Sequence, residues 1–246
     1  MTPPTLSFDP SLTAQFAKSR AVIVEGAVPE TVVSRWQQIA GELVGQFGQD
    51  IERQEAGHRL SYRVVAGEII REHAKEIFDF YSAAATRDWV RQVTGEPSIV
   101  NSNQLRSAIN INCLQHAGQQ YRWHFDAHPY TLLLYLSSAS PDDGGKLEFY
   151  PNLKQGRRNS VHGDAGDDWE RQVTSDHHLR AVAHTKVSVS LGAGSVVLMD
   201  GAICYHRVTP LLRSLPRPRL SIPMVFPISQ IAARPSGLDD YLYRSA

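Results

Sequence analysis

The second half of the chain is written in short apolar runs with no helical period between them, and that texture restricts the fold more than any other feature. From Ser98 onward come LRSAININCLQ, YTLLLYLSS, KLEFYP, HTKVSVSL, GSVVLMDG and RLSIPMVFPI, separated by turn residues such as SPDDGG and LGAG. Strands at this spacing pair antiparallel and close into a sandwich or barrel, because a parallel sheet would need a helix at each crossover. Upstream the pattern differs. SRAVIVEGAVP reads as a short strand and PETVVSRWQQIAGELVGQF as an amphipathic helix with proline at its first turn. EIIREHAKEIFDFYSAAATRDWVRQVTG reads as helix in one or two pieces, stopped by Gly95. These helices are expected to brace a sheet. A length of 246 residues suits one such domain, and neither a repeat nor a linker divides it. The expected layout is a single domain over 1–246, with a helical brace over about 1–97, a β core over about 98–228 and a tail over 229–246.

Composition removes several classes of function. An apolar fraction of 42% with 20% charged residues is ordinary for a globular protein. No apolar run is long enough to span a bilayer. The start, MTPPTLSFDPSLTAQFAKSR, lacks the basic, apolar and small-residue segments of a secretory signal, so the expected location is the cytoplasm. Cys113 and Cys204 are the only cysteines and are expected to be free thiols. Zero formal net charge leaves no basic footprint for nucleic acid, and KQGRRN is read as a solvated loop. Residues 153–183 are polar and long for a connection, the pattern of a lid, a binding loop or disorder.

RWHFDAHPY, residues 122–130, carries the densest chemistry. In an extended chain His124 and Asp126 share a side. His128 would share it too, but Pro129 suggests a turn there, so His128 ranks below His124 as a ligand. Far downstream, GSVVLMDGAICYHRVTPL puts His206 after an apolar strand and a tight turn. Two imidazoles and one carboxylate on one face leave three octahedral positions open, which suits non-haem Fe(II); zinc could use the same ligands, although catalytic zinc more often keeps one open position. Arg219 then opens the last apolar strand with Ser221 on the same side, a pair able to grip a carboxylate.

The set His124-x-Asp126, His206, Arg219-x-Ser221 resembles the Fe(II)- and 2-oxoglutarate-dependent dioxygenase superfamily, whose fold is a double-stranded β-helix, the cupin-like jelly roll. NINCLQHAGQQYRWHFD, DDGGKLEFYP and GSVVLMDG also resemble that family's strands, and the resemblance covers about residues 98–228. It implies Fe(II) on His124, Asp126 and His206, 2-oxoglutarate anchored by Arg219 and Ser221, and O2 as the third reactant. Arg213 and Arg217 compete with Arg219 for the anchor, because the family's arginine commonly follows the histidine more closely. Asn112 and Tyr135 are candidates to touch the cosubstrate; Asn112 could equally satisfy a neighbouring backbone group, and Tyr135 could be a core residue with its hydroxyl at the rim. Trp123 and Cys204 read as packing residues, and His162, His177, His178 and His184 as exposed histidines.

TLLLYL, GGKLEFYPN and the helix ending TGEP are similar to the branch of free-amino-acid hydroxylases and lysine halogenases. The resemblance implies hydroxylation of an unactivated C–H of a small molecule, an amino acid or a derivative of one, with release of succinate and CO2. Halogenating relatives replace the triad carboxylate by a small residue, whereas Asp126 stands here. A prolyl-hydroxylase-like enzyme acting on a peptide or protein is the alternative within the superfamily. Outside it stand a non-enzymatic cupin-like binder, which has no need of Arg219 and Ser221, and a zinc hydrolase, for which no general base is evident.

Overall fold

The computed structural model describes residues 3–55, 58–138, 140–151, 153 and 175–232. Its large sheet has the order β1 (Ala21–Val24), β9 (Val196–Asp200), β6 (Tyr130–Tyr135), β11 (Arg219–Phe226), β4 (Ile111–Leu114), β3 (His58–Val65) and β2 (Gln49–Glu55). The small sheet has the order β5 (Tyr121–His124), β10 (Tyr205–Val208), β7 (Leu147–Tyr150) and β8 (Val187–Val189). Every neighbouring pair is antiparallel, as the missing crossover helices require. Three strands of the large sheet lie before residue 98. Of these the hairpin β2–β3 goes beyond the sequence reading, and β10 gives His206 a strand of its own instead of a place after one.

Period-two alternation sorts the central strands into two faces. Leu220, Ile222, Met224 and Phe226 of β11, with Tyr130, Leu132 and Leu134 of β6, join the core beneath the helices. That layer consists of α1 (Pro10–Ser19), α2 (Glu30–Phe47), α3 (Gly67–His73), α4 (Lys75–Ser82) and α5 (Ala84–Thr94). It contributes Phe16, Trp36, Ile70, Phe80 and Trp89, among others. Between the sheets, Tyr135, Val197 and Met199 pack on Leu147 and Phe149. Both faces of β6 are thus covered, which explains why TLLLYL reads as a continuous apolar run.

The helical stretch before Gly95 is three helices. Extended or irregular backbone at Ala74 and Ala83 interrupts it, while Gly95 ends it in the left-handed conformation at φ 70°. Asp9 caps α1 by accepting from the Ser11 N–H at 2.8 Å, and Pro10 occupies the first turn. KQGRRN, His162 and most of the long polar segment lie outside the described residues.

Candidate metal centre

His124 ends β5 and His206 sits on β10, directly opposite in the register of the small sheet. Their ring centroids are 4.1 Å apart. Asp126 lies two residues past the strand end, where its N–H donates to the Gly201 carbonyl at 2.8 Å. One Asp126 oxygen, Oδ1, stands 3.4 Å from His124 Nε2 and 3.5 Å from His206 Nε2. One ligand atom from each residue falls within 4.8 Å of the other two, the only such group found among the described residues. The other aspartate oxygen, Oδ2, accepts the Thr131 hydroxyl at 2.6 Å.

Each imidazole is oriented by the carbonyl two residues before it. His124 Nδ1 donates to the Arg122 oxygen at 2.8 Å and His206 Nδ1 to the Cys204 oxygen at 2.9 Å. A carbonyl can only accept, so Nδ1 carries the proton and Nε2 keeps its lone pair for a metal. Burial pushes the His206 pKa down to about 4, helped by the neighbouring His124 and opposed by Asp126 and the Cys204 bond, so this ring stays neutral near pH 7. Burial pushes the Asp126 pKa up, but His206, which becomes charged only in acid, then His124 and the Thr131 hydroxyl outweigh it and hold the group ionised, well below the usual carboxylate range. Two Nε2 lone pairs and one carboxylate, their opposite atoms already tied back, fit a divalent non-haem metal.

The triad opens into a cavity of about 110 Å³, whose walls include Asn110, Asn112, Tyr121, Tyr135 and Ser221. Ser221 of β11 faces Asn112 of β4 on one side and Tyr135 of β6 on the other. Arg219, one inner-face position along, is 5% exposed and lies over the Tyr135 ring, 5.0 Å from its centroid. Burial pushes the Tyr135 pKa up, while the Arg219 charge and hydrogen bond work against it. The competing arginines are elsewhere: Arg213 pairs with Asp143 at 2.6 Å on the surface, and Arg217 is exposed. Gly145 supplies the room for Arg219. It holds a positive φ of 63°, and a Cβ there would press on Arg219 Cδ at 3.0 Å.

His128 is 4% exposed and is not part of the group that could hold a metal. Asn110 donates to the Arg106 carbonyl at 2.9 Å. Cys204 is buried, its thiol reaching the Arg20 carbonyl, and Trp123 packs on Tyr205. Sequence reasoning passed over Thr131, Gly201, Tyr62 and Tyr121. Thr131 had a visible signal, since it shares the inward phase of Leu133 and Tyr135. Tyr62 and Tyr121, 5.0 Å apart, meet only through β3 and β5.

The double-stranded β-helix expected from the motifs is the fold observed, and solved structures share it. SnoN, an alpha ketoglutarate dependent epimerase from nogalamycin biosynthesis, solved with Fe3+, alpha ketoglutarate and nogalamycin RO, aligns at TM-score 0.66 and 18% identity over 97% of this chain and 93% of that one. The carbocyclase SnoK aligns at 0.65 and 14% identity, covering 91% and 86%. A Pseudomonas putida prolyl-4-hydroxylase aligns at 0.53 and 16% identity, covering 92% and 97%. No curated protein matches in sequence. The family model described as HalD, Halogenase D, matches residues 8–232, nearly the whole described chain, and the protein therefore belongs to the Halogenase D family.

Proposed function

We propose that this protein is an Fe(II)- and 2-oxoglutarate-dependent oxygenase that hydroxylates an unactivated C–H of a small molecule, an amino acid or amino-acid derivative, releasing succinate and CO2. The observation that carries the reading is the convergence of His124, Asp126 and His206 within 4.8 Å at the wall of a cavity that Ser221 and Tyr135 also line. Fe(II) held there, with O2 and 2-oxoglutarate, supplies the oxidising power for C–H cleavage. The chain's own work is positioning. His124 and His206 offer Nε2, Asp126 offers Oδ1, Arg219 and Ser221 hold the far carboxylate of 2-oxoglutarate, and Asn112 and Tyr135 flank it. The buried arginine grips an anion most strongly where water is excluded.

Hydroxylation is favoured over halogenation by the third ligand. Asp126, held by the Thr131 hydroxyl and the Gly201 carbonyl, would supply the carboxylate that halogenating relatives replace by a small residue. The amino-acid substrate class is supported by the scaffold motifs TLLLYL and GGKLEFYPN, which resemble the free-amino-acid hydroxylases and lysine halogenases. The test is a panel of free and derivatised amino acids incubated with Fe(II), 2-oxoglutarate and O2, with succinate and the substrate's mass gain of one oxygen as readouts. One panel member is expected to stimulate both. Alanine at His124, Asp126 or His206 is expected to reduce turnover to background, whereas His128→Ala keeps metal binding. Loss of the metal in His128→Ala would move the site.

A further inference from the structure

The outer face of the small sheet, behind the two imidazoles, carries a connected cluster. Trp123 and Arg207 are the chain neighbours of His124 and His206, and strand alternation turns them to the opposite side. There the Arg207 guanidinium lies over Trp123, 4.7 Å from the ring centroid. Trp123 stacks on Tyr205 at 5.1 Å and 15°. Phe125, between the ligands His124 and Asp126, packs on the same Tyr205 at 5.0 Å. Arg207 also grips Glu148 of β7 through Nε at 2.8 Å and a terminal nitrogen at 2.7 Å, both on Oε2. The other glutamate oxygen takes Lys186 at 3.2 Å.

The backbone gives this cluster a task. Between β10 and β7 the ladder runs regularly over four pairs, from Tyr205↔Tyr150 to Val208↔Leu147. Between β10 and β5 it has only His206↔His124 and Val208↔Tyr121, with an irregularity between them. The joint that sets the spacing of the two imidazoles is therefore the weaker ladder of the two. We propose that Arg207, Trp123 and Glu148 are positioning residues for the metal: the stack and ion pair clamp β5 to the well-ordered β10–β7 pair and so fix the separation of the two Nε2 atoms. The inference rests on the metal-centre reading above.

Co(II) is the probe, with affinity taken from competition against a chelator and geometry from the visible Co(II) bands, on the full chain. Thermal melting of the metal-free variants checks that each is folded. Arg207→Gln and Trp123→Leu are each expected to weaken Co(II) by about tenfold or more and to alter the bands, the range typical of outer partners of metal ligands. Together they should be little worse than either alone, because they act as one unit. Arg207→Lys keeps the charge and should recover only part of the loss, since it lacks the flat guanidinium. Lys186→Met, which removes a contact on neither ligand strand, should stay within about twofold. If a variant melts too early, Glu148→Gln replaces it with the same expectation. Variants that bind Co(II) as tightly as wild type, with unchanged bands, overturn the clamp alone. Wild-type protein that binds no Co(II) overturns the metal centre and the clamp together.

Discussion

At the scale of single residues, the space beside Asp126 is the tightest constraint on the site. A Cβ at Gly201 would fall within 2.7 Å of the Asp126 Cβ and closer still to its carboxylate, so glycine is required by contact and not by backbone angle. Gly201→Ala is expected to push the carboxylate off the triad and weaken divalent-metal affinity by about 10–100-fold. In an Asp126→Gly background the same change should cost nothing further. A metal titration of the four proteins measures this, and an unchanged affinity in Gly201→Ala would mean the carboxylate does not need that space. The proposed ligands were legible because His-x-Asp occupies three adjacent positions of one short stretch and His206 follows an apolar run and a turn. Gly201 was not, since its role exists only once the turn after β9 closes around Asp126, and of Thr131 only the inward phase was visible, not its bond to Asp126. The proposed anchor Arg219 stands out by its Arg-x-Ser pattern, and burial separates it from exposed Arg217 and surface-paired Arg213.

At the scale of elements, pairing decides what the sequence shows. The strands β6, β9 and β11 announce themselves because both faces are covered and the letters stay apolar. The hairpin β2–β3 is harder to see: QDIERQE is mostly polar, and Ile51, Leu60, Tyr62 and Val64 mark its inward side. The small sheet adds a pH prediction. Burial pushes the Glu148 carboxyl up, but Arg207 and then Lys186 outweigh it and lower its pKa below the ordinary 4.5. A carboxylate depressed on folding contributes stability that is fully present above its unfolded value and is lost as pH falls through its folded value. Acidification below about pH 4.5 should therefore lower the melting temperature of wild type more steeply than that of Glu148→Gln. Parallel melting curves for the two proteins would remove Glu148 from the acid sensitivity of the sheet.

At the scale of the whole molecule, one face of the large sheet carries the helices and the other carries the chemistry. Trp36 and Phe80, 5.4 Å apart, tie α2 and α4 into the core beneath β11 and β6. Phe80→Ala should cost about 3–5 kcal/mol in denaturant unfolding, the usual range for a buried phenylalanine, while the triad on the opposite face keeps its geometry. A loss below about 1 kcal/mol would show that the helix layer is not what supports the sheet. The two-layer plan was legible from the change of texture near Ser98, and β1 from its apolar run, but the hairpin β2–β3 was not, because it joins the large sheet only where β3 pairs with β4, far along the chain. The triad His124, Asp126 and His206 opens into the cavity that Ser221 lines, and the proposed 2-oxoglutarate anchor Arg219 lies one inner-face position beyond Ser221. Anaerobic titration of the metal-free protein with Fe(II) and then 2-oxoglutarate, followed by visible absorption, tests triad and anchor at once. Wild type is expected to develop the metal-to-ligand charge-transfer band of the chelate, and Arg219→Ala to bind Fe(II) but require at least about tenfold more 2-oxoglutarate, as loss of a charged hydrogen-bonded anchor implies. Wild type that binds Fe(II) yet never develops the band would contradict the account.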